Sequence, residues 1–400
     1  MQSRNGNILF RKLHSMRETP QKLRTAQFTK KTTRHQRESQ IRDFPCHVKM
    51  SLTRGQYAWF STLERRNQEH VESHQRLNVE KHSQDWQQHW LVGLVDGDGT
   101  FTIDPQKKSN GTIVWNLVFK LSLNQYNARA IFQAKKILGA GHIQSTPDNM
   151  ITLRIRDRQV MKKHLFPIFD RIPLLSNKHY DYVKLRKIDQ LLDTPTLEKQ
   201  TRDQQIRDVL NTKTSRNDIA PVWHQIVLKQ SLNDFLETGK IELTKPQVDK
   251  IITIAWLSGF IEAEGSFDIV CKDKQKGRYC HAFGLSQQGF LRNQNFEGNG
   301  FLMQAVRSFL KIVASVKHRK PESFQRFSTE SQSFYSLETT NWRNLEFIKK
   351  VFSRKLLGVK SLEFRVWERS LKHRFNSEKL EQIQQKLRKL RKTRLNEKNV

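Results

Sequence analysis

The sequence predicts an α+β protein built from two copies of one domain, each reading helix, hairpin, helix, hairpin, helix. Three observations predict it. Trp90–Phe101 reads WLVGLVDGDGTF and Trp256–Phe267 reads WLSGFIEAEGSF, offset by 166 at every position. Further along, Leu174–Lys178 (LLSNK) and Leu356–Lys360 (LLGVK) are offset by 182. Two echoes in the same order mark a duplication. After each motif the hydrophobic period also changes from helical to two. Because the offset grows by 182 − 166 = 16, the second copy carries a net insertion of about that size, and Gln288–Gly300, rich in Gly, Asn and Gln, is the natural place for it.

The motif helix comes first. Asp85 with Gln88 makes a capping-box-like start. Trp90, Leu91, Leu94 and Val95 share one face, and Gly93 and Gly97 lie four apart on another. The second copy repeats this with Trp256, Leu257, Phe260 and Ile261, and with Gly259 and Ala263 four apart. Small residues at i and i+4 remove the side chains that keep helices separated. The two motif helices are therefore expected to pack on each other, between the copies, through Gly93, Gly97, Gly259 and Ala263.

The acids follow. Asp96 and Asp98 end the first helix, with Gly99 as the stop; Glu262 and Glu264 end the second, with Gly265 as the stop. Carboxylates at a helix C-terminus oppose its dipole at a cost of about 0.3–1 kcal/mol each, and side by side they repel one another. A divalent cation would reverse that sign, and carboxylates are the hard oxygen ligands that magnesium takes. Other readings of Asp-Gly-Asp-Gly fail on spacing. A calcium loop needs an oxygen ligand near Thr100 and Gly where Phe101 stands, and a dinucleotide fingerprint opens a helix rather than closing one.

Behind the motif, Phe101 and Ile103 alternate with Thr100, Thr102 and Asp104. After a turn containing Asn110-Gly111, the residues Ile113, Trp115, Leu117, Phe119, Leu121 and Leu123 form an apolar face; Thr112, Asn116, Lys120 and Ser122 share the other with Val114 and Val118. A helix over about Ala128 to Leu138 ends at Gly139, and a later strand puts Ile151, Leu153 and Ile155 inward, with Thr152, Arg154 and Arg156 outward. Such a polar, basic strand face suits the DNA major groove, where Thr102, Asn116, Lys120, Thr152, Arg154 and Arg156 would meet base edges and phosphates. In the second copy the matching positions Cys280, Ala282, Gly284 and Ser286 are small, so contacts there would come from neighbouring strands or from the insertion.

Composition bounds the function. Lys and Arg number 71 against 39 Asp and Glu, a net +32 over 400 residues, which excludes an ordinary neutral metabolic enzyme and points to a polyanionic partner. The longest nearly apolar stretch, Ile251 to Ile261, is too short to span a bilayer, so no membrane partner is expected. Three cysteines without a C-x-x-C disfavour a disulfide framework or a zinc site. The organisation read from these patterns is a basic extension over 1–84, domains over 85–190 and 249–375, a linker with short helices over 191–248, and a basic amphipathic helix over 376–400. The first forty residues, rich in Arg and Gln, suit an import presequence or a disordered nucleic-acid-binding arm. The final helix, with Leu380, Ile383, Leu387 and Leu390 at helical spacing, suits docking on its own domain and nucleic-acid contact equally.

The paired motifs resemble the signature of the LAGLIDADG homing endonucleases in their single-chain, two-motif form, over about Asp85 to Phe375. The resemblance implies two αββαββα domains about a pseudo-twofold axis in a monomer, with saddle-shaped antiparallel sheets straddling double-stranded DNA. It implies a staggered double-strand break with 3′ overhangs at a long asymmetric site, and Mg²⁺ as cofactor, with Mn²⁺ able to substitute. By the same resemblance Asp98 and Glu264 are the metal ligands, with Asp96 and Glu262 weaker candidates. Lys178 and Lys360 stand near the cleavage centre, and Gln287 orders water. Its counterpart, Leu123, cannot do so, so the two half-sites are expected to differ. Family members are usually intron-encoded, often in a mitochondrion or chloroplast, and some act instead as maturases on host intron RNA. That alternative fits the basic arm and tail, whereas the acids retained in both motifs favour the nuclease.

Overall fold

The computed structural model describes residues 83–212, 218–289, 298–319 and 333–396, with side chains through Arg391. The N-terminal extension, with its presequence reading, lies outside the described residues apart from its last two positions. The first half runs α1 (Gln84–Asp98), β1 (Gly99–Lys107), β2 (Ile113–Asn124), α2 (Ala128–Leu138), β3 (His142–Ser145), β4 (Met150–Ile155), α3 (Phe166–Arg171) and α4 (Lys178–Asp193). Helices α5 (Lys199–Asn211) and α6 (Lys229–Thr238) follow. The second half runs α7 (Ile254–Glu264), β5 (Gly265–Asp273), β6 (Arg278–Gln288), α8 (Gly298–Phe309), β7 (Lys317–Arg319), β8 (Phe334–Thr339), α9 (Trp342–Phe352) and α10 (Lys360–Ser370), then the tail helix α11 (Ser377–Asn396). The strands form two antiparallel four-stranded sheets, ordered β1-β2-β4-β3 and β5-β6-β8-β7. The fold is thus α+β with two pseudo-symmetric halves. Among the described residues no helix is long and apolar enough to cross a membrane.

Each sheet buries one apolar face, and around Val118, Thr152 and Ser336 the opposite face is covered as well. Leu117, Phe119, Leu121 and Leu153 are fully buried in the first sheet, and Phe267, Phe283 and Leu337 in the second. Between the sheets, α1 and α7 pack backbone to backbone. A β-carbon on Gly93 would lie 1.9 Å from the Trp256 carbonyl oxygen, and one on Gly259 would lie 1.9 Å from that of Trp90. One on Gly97 would meet the Ala263 methyl at 2.2 Å. All four small residues therefore sit where the helices cross.

Several expectations need correcting. Ser83, not Asp85, caps α1, accepting from the Trp86 N–H at 3.2 Å, and Asp85 pairs with Arg171 at 2.7 Å. Gly99 and Gly265 stop their helices in extended backbone at φ −80 and −84, not as left-handed caps. The extra length of the second half is also not confined to 288–300. The offset is 285 − 121 = 164 where Leu121 and Leu285 oppose the motif glycines, and 336 − 152 = 184 where Thr152 and Ser336 oppose Ser122 and Ser286. Fourteen residues, 320–333, separate β7 from β8, against four, 146–149, between β3 and β4.

The segment 191–248 is not a simple tether. Trp223, fully buried, donates its indole N–H to the Leu175 carbonyl at 2.9 Å and meets Phe301 of α8 edge-on at 5.2 Å. Phe235 of α6 packs on the same ring at 5.5 Å. Helices α5 and α11 are counterparts. Each packs on the last helix of its half, and each offers an acid at its fifth position to an aromatic of the second strand. Asp203 accepts from the Trp115 indole at 2.8 Å, and Glu381 meets the hydroxyl of Tyr279, which stands 279 − 115 = 164 residues on. The tail helix is docked: Leu380 and Leu387 are buried against Ile269, and Arg391 bonds Asp268 at 2.7 Å and Glu363 at 2.6 Å.

Candidate active site

The crossing of α1 and α7 brings their C-terminal ends together, and with them Asp98 and Glu264. Both carboxylates line a cavity of about 660 Å³, shared with Lys178, Gln287, Thr102 and Asn299. Burial pushes both carboxyls above their ordinary range. The charge of Asp98 pushes Glu264 further, and Lys178 and Lys360 pull both back. Among the described residues neither carboxylate accepts a hydrogen bond.

The lysines resolve the dipole conflict at these helix ends. The Lys178 ammonium donates to the carbonyls of Val95 (3.2 Å) and Gly97, and that of Lys360 to Ile261 (3.0 Å) and Ala263 (2.9 Å). Each lysine thus satisfies the last carbonyls of its motif helix and sets a positive charge on the negative end of the dipole. Each ammonium has three N–H donors and spends two on these carbonyls; Lys178 lines the cavity, and Lys360 acts on both carboxylates through its charge. Burial lowers both lysine pKa values; Asp98 and Glu264 chiefly hold up that of Lys178, and Glu262 followed by Asp98 that of Lys360.

Asp96 and Glu262 belong elsewhere. Both are fully buried. Asp96 accepts from the N–H groups of Leu175 (2.9 Å) and Ser176 (3.0 Å), the Ser176 hydroxyl (2.6 Å) and the Trp256 indole (2.8 Å). Glu262 accepts from the Gly358 N–H at 2.5 Å, and burial pushes its carboxyl up to about 7. These acids hold the loops that precede the lysines; they are not cavity ligands.

Sequence reading missed two asparagines. Asn127 donates to the Glu262 carbonyl at 3.0 Å and accepts from the Val359 N–H at 3.2 Å, and Asn299 accepts from the Asn177 N–H at 3.5 Å. Each reaches from the start of a helix in one half to the lysine loop of the other. An Asn at 127 and again at 299, 172 residues apart, was the only signal, and it is too common a residue to stand out.

Gln287 is 3 % exposed with its Oε1 unpartnered, whereas Leu123 is part of the core. On the strand faces Thr102 and Arg156 are exposed, and Lys120, Asn116 and Arg154 are half-buried. Thr152 is a correction. It is 6 % exposed and shares its hydroxyl with Ser122 at 2.8 Å, so neighbouring side chains cover it. In the second sheet the small residues Ala282, Gly284 and Ser286 leave a hollow of about 300 Å³ beside Asp268 and Glu338.

A divalent cation fits this donor set. Among the described residues no group of three or more His, Cys, Asp or Glu could hold one. Asp98 and Glu264 offer two unpartnered carboxylates in one cavity, the number with which Mg²⁺ is commonly held when substrate phosphates and water complete its shell.

Comparison with known proteins agrees with this geometry. The family profile described as LAGLIDADG endonuclease matches residues 91–189. The chain is 32% identical over 295 residues to the probable intron-encoded endonuclease Cox1-I1b of Schizosaccharomyces pombe, across 73% of this chain and 65% of that protein. It is 22% identical over 293 residues to the uncharacterized mitochondrial protein RF1 of Saccharomyces cerevisiae, across 70% of this chain and 54% of that one. The chain therefore spans under two thirds of the length of these relatives. Among solved structures, I-SmaMI bound to cleaved DNA superposes with a TM-score of 0.55 at 19% identity, covering 78% of this chain and 98% of that one. I-LtrWI bound to target DNA superposes with a TM-score of 0.56 at 18% identity, covering 76% and 98%.

Proposed function

Because the chain belongs to the LAGLIDADG endonuclease family, we propose that it is a site-specific DNA endonuclease that hydrolyses both strands of a long asymmetric target, leaving 3′ overhangs. The observation that carries this reading is the convergence of Asp98, Glu264, Lys178 and Lys360 at the paired ends of α1 and α7. Water attacks each scissile phosphorus, and the bond to the 3′ oxygen breaks. Asp98 and Glu264 are the ligands for a divalent cation, Mg²⁺ or Mn²⁺, which when bound supplies Lewis-acid polarisation of the phosphate. Lys178 and Lys360, fixed by helix-end carbonyls, direct their remaining N–H at the charge developing on the phosphoryl oxygens. Gln287 orders water on one side only.

The two sheets lie over the DNA, with Thr102, Asn116, Lys120, Arg154 and Arg156 as contacts of the first. The hollow of the second sheet admits base edges rather than reaching for them, so the half-sites are read differently. The chain acts as a monomer. The kinship to intron-encoded endonucleases and a mitochondrial protein supports an organellar, mitochondrial setting.

Asp98→Asn and Glu264→Gln test the assignment. Each is expected to abolish double-strand cleavage while leaving DNA affinity in a gel-shift assay within about threefold, since the charge removed is one that repels phosphate. Full cleavage by either variant would remove the ligand assignment.

A further inference from the structure

Asp96 and Glu262 occupy one position of the repeated motif, and each is closed over by the loop that delivers a lysine two residues later. The two closures are built differently. In the first half the shorter acid meets a serine, whose hydroxyl lies 2.6 Å from Asp96 Oδ1. In the second half the longer acid meets Gly358, the counterpart of Ser176 at 358 − 176 = 182. A β-carbon at Gly358 would lie 2.4 Å from Glu262 Oε2 and 2.8 Å from its Cδ. The extra methylene of Glu262 therefore takes the room that the Ser176 side chain fills in the other half.

The backbone amides do the same work in both. Those of Leu175 and Ser176 hold Asp96, and that of Gly358 holds Glu262. The cross-half indole bond, in contrast, is made once. Trp256 donates to Asp96, whereas its counterpart Trp90 has a buried indole nitrogen without a partner, as has Oε2 of Glu262. Close packing makes such volume exchanges tolerable in pairs and costly singly. Because the loop leads directly into Lys178 or Lys360, whose ammonium must reach two carbonyls of the same motif helix, a loop lifted by one methylene displaces the lysine.

We propose that Asp96 with Ser176, and Glu262 with Gly358, are positioning pairs, each setting the place of one lysine, and that they are exchangeable as pairs but not singly. The consequence for cleavage rests on the reading of the cavity as a cleavage centre; the pairing itself does not.

The test uses the full chain with Asp96→Glu, Ser176→Gly and their double variant, and with Glu262→Asp, Gly358→Ser and their double variant. Thermal unfolding without DNA or metal is expected to fall for each single exchange and to recover in each double. Cleavage of an end-labelled target, followed strand by strand, is expected to slow roughly tenfold or more on one strand for a single exchange, with KM little changed. Exchanges in opposite halves should spare opposite strands, and each double should restore the rate. The volume-conserving Asp96→Asn and Glu262→Gln give the same strand comparison where a single exchange fails to fold. Doubles no better than the sum of their singles, or equal slowing of both strands by exchanges in either half, would overturn the proposal. A wild-type chain that cuts no DNA would instead overturn the function, and the unfolding series would still decide the pairing.

Discussion

At Gly93 and Gly259 the two motif backbones meet with no room for a methyl group. Gly93→Ala or Gly259→Ala is expected to destabilise the fold by about 3 kcal/mol or more, because the obstacle is backbone that cannot rotate away. Ala263→Gly, on the same face, should cost only about 1 kcal/mol through helix propensity. Denaturant unfolding separates the two, and equal losses would contradict the contact. His281 is the second residue whose environment makes a prediction. It is buried beside Ser370, whose hydroxyl donates to the Trp367 carbonyl and accepts from the ring at 2.8 Å. Burial holds its pKa down at about 4, against 6.5 in the unfolded chain. The stabilisation of the neutral ring is complete above pH 6.5 and is lost as the pH falls toward 4, by up to about 3 kcal/mol. His281→Leu, which installs the residue found at the matching position Leu117, should flatten that part of the stability profile. An unchanged slope between pH 4 and 6.5 would show that another group carries it. The spacing of the small residues was legible because helix crossing leaves a fixed period. The roles of Asp96 and Asn127 were not, because a buried acid and a cavity acid look alike in a one-dimensional pattern.

Among the elements, α1 and α7 were readable through their repetition and paired small residues, although residues 90–97 and 255–262 are buried all round, and the strands behind them through a period that reports burial. Helices α5 and α6 were harder. Their segment is mixed in charge and broken by Pro195, Pro221 and Pro246, and its core side chains are widely spaced. Trp223 nevertheless ties the first lysine loop to α8. Trp223→Ala should cost about 3–5 kcal/mol, seen as a lowered melting temperature for the whole chain. A local loss, with the rest unfolding at the original temperature, would show the segment to be a separate unit. The tail helix had two readings in sequence, and its docking through Leu380 and Leu387 decides for packing on its own half.

For the whole molecule, duplication is the organising fact. Both halves keep the acid, the lysine and the strand order, yet they differ in Gln287 against Leu123, in Ser176 against Gly358, and in the residues added between β6 and β8. A fused repeat is free to diverge in this way, since neither half must pair with a copy of itself. On the proposed function, the excess of positive charge, +32, would supply the nonspecific attraction to DNA, and the unlike sheets would supply the reading of an asymmetric site. The target itself was never in the sequence, because it depends on side-chain reach and DNA shape together. The most direct measurement of the central claim is therefore cleavage selection: the purified chain, a library of DNA sites, and Mg²⁺ or EDTA, with the cut ends sequenced. The account predicts Mg²⁺-dependent cuts with uniform 3′ overhangs at one long asymmetric site. Cleavage that persists in EDTA, or tight binding to DNA or structured intron RNA with no cut in any site, would contradict it.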